Sequence, residues 1–116
     1  MSKKKQAHFH VRSHETVLKK GFMDYCITGG YSHFVSGDAI LTDERFFFGA
    51  QLPEGDYLAV EFPLTEIFAV ERIGVPFFTR SILVTTDEKR YRFNAFFVIR
   101  WARALQRAME KAKASS

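Results

Sequence analysis

The residues that decide the fold are 37–48, which read GDAILTDERFFF. Residues 39–42 and 46–50 are rich in aliphatic and aromatic side chains, and the polar turn TDER, residues 42–45, lies between them. Such side chains favour strands, and two runs of them separated by a short polar segment are typical of a β-hairpin. The sequence therefore predicts two antiparallel strands joined at this turn.

Further strands are predicted on the C-terminal side of the hairpin. Leu58, Val60 and Phe62 alternate with Ala59 and Glu61, and a period of two is typical of a strand with one buried face. Turns are expected where Gly, Pro and Asp cluster, at residues 53–56, 74–76 and 87–89. The remaining predicted strands are residues 67–73, 81–86 and 90–93.

On the N-terminal side, the sequence predicts an arm, a strand and a loop. Residues 1–12 are basic and polar, and we expect them to form a flexible arm that precedes a single domain spanning 13–113. Residues 15–26 are consistent with one strand, or with two short strands broken at Gly21. Residues 28–37 are rich in glycine and serine, a composition that is typical of a loop.

One amphipathic helix is predicted after the last strand. Asn94 is a favourable N-cap residue, and the apolar period changes to that of a helix after it. Many short strands followed by one terminal helix favour an antiparallel sheet over a βαβ fold. We therefore expect a curled sheet whose open end is closed by the apolar stripe of the helix. That stripe consists of Phe97, Trp101, Leu105, Ala108 and Ala112.

The composition limits the class of protein. A chain of 116 residues has room for one core, and 13 phenylalanines are more than a small core easily hides. The net charge of +4 comes from both ends of the chain, so the body of the domain is neutral. With Cys26 as the one cysteine, no disulfide can form within the chain, which suits a reducing compartment. No apolar run has the ~20 residues of a membrane span, and no signal peptide is recognised, so we expect a cytoplasmic location.

The ordered motifs resemble the GRAM domain family, which has the pleckstrin-homology-like fold. The resemblance runs from about Glu15 to Met109 through the segments VLKKG, GDAILTDERFFF, EFPLTEIFAVER, IGVPFF and SILVTTDEKRYRF to the helix with Trp101. It implies a mainly β domain with one C-terminal α-helix: a seven-stranded, partly open antiparallel barrel that the helix caps. The turn at residues 87–89 departs from the family, which commonly has a glycine there.

The resemblance also bears on individual residues. It implies a turn or strand-end position for Arg45, with at most a peripheral contact, and it carries over no catalytic residue. Members of the family bind phosphoinositides or other lipids, peptides, or other subunits. The core positions that it implies are Leu41, Phe46, Phe48, Leu64, Ile67, Val70 and Trp101.

The segment 21–37 is the main candidate for a binding surface. Lipid-binding relatives usually place several Lys and Arg near this hairpin, where they bind phosphates through charge-assisted hydrogen bonds. Here Lys19 and Lys20 precede the segment, but the segment itself contains neither Lys nor Arg. Its apolar side chains are compatible with core, with a protein interface or with insertion into a membrane. The candidate partner or membrane surface is Lys19, Lys20, Phe22, Met23, Tyr31, Phe34, Phe77 and Phe78.

A basic face on the predicted helix is a second candidate. Such a stripe is typical of a solvated helix face and is compatible with an anionic surface. Nucleic acid is disfavoured because no aromatic side chains are interleaved with these residues. The stripe consists of Arg100, Arg103, Arg107 and Lys111.

The sequence offers little support for catalysis or for a cofactor. His8, His10 and His14 are the one pattern that suggests a metal site, and they fall in or beside the predicted arm without a nearby cysteine, so we expect no metal. Ser32 and His33 are merely adjacent in sequence, whereas a hydrolase needs a nucleophile set beside an oriented base. We therefore expect no enzyme activity and no cofactor.

These observations predict a non-catalytic interaction module. The leading hypothesis is protein–protein association or self-association through exposed aromatic surface. The first alternative is peripheral binding to anionic lipid membranes, which would place the domain at a membrane. The second alternative is a small molecule bound in the barrel under Trp101.

Overall fold

The fold is one curled antiparallel sheet with a single long helix. The structure, a computed structural model, describes residues 9–27, 34–75 and 78–115, without the side chains of 75 and 78–80. A 3-10 turn, Leu64–Glu66, precedes the fifth strand, and the helix α1 is Val98–Ser115. The strands are β1 (Val17–Cys26), β2 (Phe34–Thr42), β3 (Arg45–Gln51), β4 (Tyr57–Pro63), β5 (Ile67–Val75), β6 (Phe78–Thr86) and β7 (Arg90–Asn94).

The sheet curls because its first strand pairs with its last. The strand order is β4-β3-β2-β1-β7-β6-β5, and all neighbours are antiparallel. At the end of β1, Asp24 pairs with Asn94 and Tyr25 with Phe93 of β7. The edges β4 and β5 are joined through the 3-10 turn. The predicted fold class, a seven-stranded, partly open barrel with a C-terminal helix, is therefore confirmed.

Aromatic side chains fill the interior of the barrel. The Phe93 ring centroid lies 5.2 Å from that of Phe46 and 5.8 Å from that of Phe48. The Trp101 ring stands edge-on to Phe46 at 6.3 Å, so the helix contributes to the same cluster. Each such aromatic pair adds about 0.5–1.5 kcal/mol beyond the area that it buries. Of the implied core positions, Val70 is half-buried and the other six are buried.

The helix α1 begins later than the sequence predicts. Asn94 is the last residue of β7, and its Oδ1 accepts a hydrogen bond from the Ser81 hydroxyl, so it is not an N-cap. Phe97 precedes the helix and is 71% exposed, so its assignment to the buried stripe is wrong. The rest of the predicted stripe faces the barrel, with Ala112 half-buried. Within the described residues, no helix combines the length and apolar character that crossing a membrane requires.

The strand β1 is one continuous strand, which is one of the two predicted alternatives, and β2 begins earlier than the sequence predicts. β1 continues through Gly21, where an added Cβ would stand 3.3 Å from Cζ2 of Trp101, so the missing side chain leaves room for the indole. β2 begins at Phe34, and Gly37 pairs with Met23 inside the sheet. The predicted loop over 28–37 is therefore wrong from residue 34 onward, because tertiary pairing overrides the glycine and serine content.

Gly37 is a position where the structure tolerates no side chain. A Cβ there would lie 2.3 Å from the Gly49 carbonyl oxygen, which is backbone and cannot rotate away. We expect Gly37→Ala to lower the free energy of unfolding by about 3 kcal/mol, the upper part of the range for overpacking. Gly21→Ala, which meets a side chain at 3.3 Å, is the control and should cost less. Urea unfolding measures both, and equal losses would contradict the close approach of β2 and β3.

Candidate functional site

A buried ion pair lies at the start of β3. Arg45 donates from Nε to Glu15 Oε2 at 2.7 Å and from Nη2 to Glu15 Oε1 at 2.9 Å, which makes the pair bidentate. The Thr42 hydroxyl donates to the same Oε2 at 2.6 Å. Arg45 Nη1 also donates to Glu61 Oε2 at 2.9 Å. The carboxylate of Glu15 is thus buried away from water, and its charge and hydrogen-bonding capacity are satisfied by Arg45 and Thr42.

These hydrogen bonds control the ionisation of the pair. The Arg45 guanidinium lowers the pKa of Glu15 from its ordinary value of 4.5 to about 2, against the opposing effect of burial. The hydrogen bond to Glu15 in turn raises the pKa of Arg45. Both groups are therefore charged at neutral pH, as a bidentate pair with short charge-assisted hydrogen bonds requires.

The predicted hairpin turn holds this pair in place. The backbone N–H groups of Glu44 and Arg45 donate to the Thr42 hydroxyl at 3.1 and 3.0 Å, which closes the turn locally. Asp43 Oδ1 accepts a hydrogen bond from the Thr16 backbone N–H at 2.9 Å. The turn is thus tied to the residues that lead into β1, next to Glu15.

Arg45 also fixes the chain before β1 on the sheet. Its Nη2 donates to the His10 carbonyl oxygen at 2.7 Å, and its guanidinium carbon lies 4.3 Å from the Phe9 ring centroid. The Phe9 ring packs on Phe47 at 5.1 Å. Residues 9–12, which we expected in a flexible arm, therefore contact the barrel, while residues 1–8 lie outside the described residues. Arg45 is the first residue of β3, which is the strand-end position that the resemblance implies, and its bonds to Glu15 and His10 make it a structural residue of the scaffold.

A groove of about 480 Å³ lies on the outer face of β1–β4, beside Phe9. Two of its apolar members, the half-buried Ile40 and the buried Phe47, are paired across β2 and β3. Lys20 stands opposite Ile40, and Phe22 stands opposite Asp38. The groove is therefore mainly apolar, with one cation and one anion on neighbouring strands. The other residues that line it are Val11, Val17, Gly21, Ala39 and Tyr57.

The side chain of Tyr57 reaches the groove by lying over Gly49 on the neighbouring strand β3. A Cβ on Gly49 would lie 2.0 Å from the Tyr57 hydroxyl oxygen, so the phenol occupies the space that a side chain would fill. Burial and, to a smaller extent, the negative charge of Asp38 raise the pKa of Tyr57. The hydroxyl is therefore protonated at neutral pH and adds a hydrogen-bonding group to the groove.

The residues predicted for one surface are divided by the two faces of the sheet. Lys20 and Phe22 line the groove, and Phe22 is 76% exposed. Lys19 faces the other way, with its Nζ 5.1 Å from the Trp101 ring centroid. Phe34 is exposed at the start of β2.

Met23 does not belong to the predicted surface. It follows Phe22 in β1, so it points to the opposite face and is 2% exposed inside the aromatic core. Met23 cannot contact a partner or a membrane in the folded domain. Tyr31 and Phe77 lie outside the described residues, and Phe78 begins β6 without a described side chain.

The predicted basic face lies on the exposed side of α1. The Arg100 guanidinium carbon stands 5.0 Å from the ring centroid of Phe97, which precedes the helix. Phe96, beside it, is 92% exposed, and we did not predict either phenylalanine as a surface residue. The sequence signal for this exposure was the run Phe96-Phe97-Val98, because three consecutive apolar residues cannot all face one core. The exposed basic residues are Arg100, Arg103, Arg107 and Lys111.

No metal site is evident in the part of the chain that the structure describes. His10 contributes its backbone carbonyl to Arg45, and His14 is exposed. Among residues 9–27, 34–75 and 78–115, no three His, Cys, Asp or Glu side chains are grouped as metal ligands would be. His8 lies outside these ranges.

Solved structures of pleckstrin-homology domains are similar to this fold. The N-terminal pleckstrin-homology domain of human ARAP2 superposes with a TM-score of 0.66 over 84% of both chains, at 18% identity. The C-terminal domain of an unknown protein from Leishmania infantum superposes with a TM-score of 0.64 over 82% of this chain and 84% of that one, at 20% identity. No protein-family model and no curated protein sequence matches the chain.

A third similar structure belongs to a larger chain. The DH/PH fragment of PDZRHOGEF, in complex with human RhoA, superposes with a TM-score of 0.66 at 11% identity. The match covers 84% of this chain but 29% of that one. At these identities the likeness shows the fold alone, which is pleckstrin-homology-like.

Substitution of Arg45 should reveal how much the buried pair contributes. Arg45→Met is expected to lower the free energy of unfolding by about 3–5 kcal/mol, because it leaves the Glu15 carboxylate buried without its partner. The double variant Glu15→Leu/Arg45→Met removes both charges and should recover part of that loss. Arg12→Met breaks an exposed pair with Glu44 and should cost less than about 1 kcal/mol. In urea unfolding, a double variant no more stable than Arg45→Met would contradict this role.

The lowered pKa of Glu15 predicts a dependence of stability on acid. The folded domain binds this proton only near pH 2, whereas the unfolded chain binds it near 4.5. The contribution of Glu15 is therefore complete above about pH 5 and is lost as the pH falls toward 2. We expect Glu15→Gln to flatten the decline in unfolding free energy over this range. Urea unfolding at successive pH values checks this, and an undiminished decline in Glu15→Gln would rule it out.

Proposed function

We propose that the domain is a non-catalytic interaction module that binds an extended apolar segment of a partner protein in the groove on β1–β4. The observation that carries this proposal is Phe22. It is 76% exposed in the interior of a strand, and it lines a groove whose members Ile40 and Phe47 are also apolar. A large aromatic side chain beside an apolar cleft is the kind of anchor that dominates binding at protein interfaces.

The choice of a polypeptide rests on the segment that already lies on this face. Phe9 packs on Phe47, and Arg45 accepts the chain by donating to the His10 carbonyl. This face therefore binds an extended stretch of its own chain through one aromatic contact and one backbone hydrogen bond. The groove continues from Phe9, and a partner segment would use the same two kinds of contact. Lys20 and Asp38, with opposite charges, would favour one direction of that segment.

The fold and the motifs support this proposal in two further ways. The DH/PH fragment of PDZRHOGEF, one of the similar structures, is in a complex with RhoA, which supports protein binding as one use of the fold. We also propose that the domain is a GRAM-type member of this fold and that it acts in the cytoplasm, on the basis of the ordered motifs and the single cysteine. The barrel interior is a less suitable site, because Trp101 is buried edge-on against Phe46 beneath the helix.

Selection of peptides on the folded domain tests the proposal directly. Phage-displayed random peptides would be selected on the wild-type protein and counter-selected on Phe22→Asp. We expect the selected peptides to share an aromatic or aliphatic residue, and Phe22→Ala to weaken their binding about tenfold or more, as for other aromatic anchors. Phe68→Ala is the matched control, since Phe68 is 65% exposed on β5, away from the groove, and binding should stay within about twofold.

Two outcomes would overturn the proposal. Equal binding of the selected peptides to wild type and to Phe22→Ala would show that they do not bind in the groove. A dimer in light scattering that dissociates in Phe22→Ala would show that a second copy of this chain, and not a different protein, occupies the groove. Phe22 is exposed, so its loss should leave the urea unfolding curve unchanged and a failure to fold should not confuse the result.

A further inference from the structure

The first turn of α1 and the two residues before it form a second surface, remote from the groove in sequence and made of different elements. Phe96 is 92% exposed and Phe97 is 71% exposed, although both are large and apolar. Phe97 has φ 56, a left-handed conformation that bulky residues rarely adopt. Strained backbone of this kind is concentrated at functional sites, and here it lies within an exposed aromatic pair.

Cations continue this surface along the helix. Arg100, Arg103, Arg107 and Lys111 repeat at three- and four-residue spacing on the exposed side of α1, opposite the face that buries Trp101 and Leu105. The stripe is about 16 Å long, given the rise of 1.5 Å per helical residue. The Arg100 guanidinium stands over the Phe97 ring at 5.0 Å, which joins the cations to the aromatic pair.

These cations are free of acidic partners within the described residues. The ion pairs there join Arg12 to Glu44, and Arg45 to Glu15 and Glu61. The acidic residue on the exposed side of α1, Glu110, is bonded by the Gln106 amide at 2.7 Å and not by an arginine. The charge of the stripe is therefore available to an anionic surface.

We propose that this face, Phe96 and Phe97 together with the stripe from Arg100 to Lys111, binds the surface of an anionic phospholipid bilayer. Clusters of Lys and Arg on a helix bind the headgroups of anionic lipids through their charge. The apolar face of α1 is buried in the barrel, so Phe96 and Phe97 are the apolar side chains of this face that could enter the bilayer. The four cations of the stripe would be attracted to the negative surface potential of an anionic leaflet, and Phe96 and Phe97 would add apolar contact with the bilayer.

A bilayer suits this face better than a folded protein does. The stripe lies along the exposed side of one helix, with the aromatic pair next to its first arginine, so contact with a flat surface needs no complementary cleft. The lipid site is also distinct from the one that the sequence suggested around Lys19 and Lys20. Lys19 is engaged over the Trp101 ring on the inner side of β1, and Lys20 lines the groove.

Sedimentation with vesicles tests the charge requirement. The probes are phosphatidylcholine vesicles with about 30% phosphatidylserine, to supply an anionic surface, and pure phosphatidylcholine vesicles. We expect retention by the first and not by the second, with a decline as salt rises. Arg103→Gln/Arg107→Gln should reduce the partition coefficient about tenfold or more, because each cation near the surface contributes separately. Phe22→Ala is the control and should bind vesicles as wild type does.

A fluorescent variant tests insertion of the aromatic pair. Phe96→Trp should show a blue shift on adding the anionic vesicles and quenching by brominated lipid, while the buried Trp101 gives a constant background. Phe96→Ala should reduce retention severalfold, whereas Phe68→Ala should not.

Three results would overturn the proposal. They are no retention by anionic vesicles at low salt, undiminished retention of Arg103→Gln/Arg107→Gln, and no blue shift in Phe96→Trp. Binding of soluble polyglutamate without binding of vesicles would assign the face to an acidic protein instead. This test is independent of the groove, because Phe22→Ala affects peptide binding alone and the arginine variant affects vesicle binding alone.

Discussion

The bidentate pair between Arg45 and Glu15 joins parts of the chain that are distant in sequence. The Arg45 guanidinium bonds the residues before β1 through Glu15 and His10, and the edge strand β4 through Glu61. The backbone N–H of Arg45 donates to the Thr42 hydroxyl of its own hairpin. A buried pair of this kind adds little net stability compared with apolar packing, but breaking it is costly. Its consequence here is geometric, since it determines where Phe9 lies on the sheet and therefore where the groove begins.

The two proposed surfaces follow from the same constraint on a small barrel. Inward-facing positions are filled by Phe46, Phe48 and Phe93, and the helix closes the remaining space with Trp101. Apolar side chains that find no place in that core must stay outside. Among them, Phe22 stands beside the groove, and Phe96 and Phe97 stand next to Arg100 at the start of α1. A domain with both surfaces would hold a partner protein at a membrane.

The strands and the core were predictable because their signals are local. Alternation at 58–62 and the apolar runs around the central hairpin identify strands without any knowledge of their neighbours. The start of α1 was not predictable in this way, since Asn94 has a side chain that favours the N-cap position but is the last residue of β7. Met23 was misplaced because its direction depends on how β1 pairs with β2, where it stands opposite Gly37.

The sequence by itself determined the fold class, the aromatic core and the basic stripe on the helix, because periodicity depends on neighbours a few residues away. The tertiary structure decided which apolar residues are exposed and what Arg45 does. Those outcomes depend on strand register and on contacts across about thirty residues of chain, such as that between Arg45 and Glu15 (|i−j| = 30). A shift of one residue in register would turn Phe22 inward and Met23 outward, and no local pattern specifies which of the two is chosen.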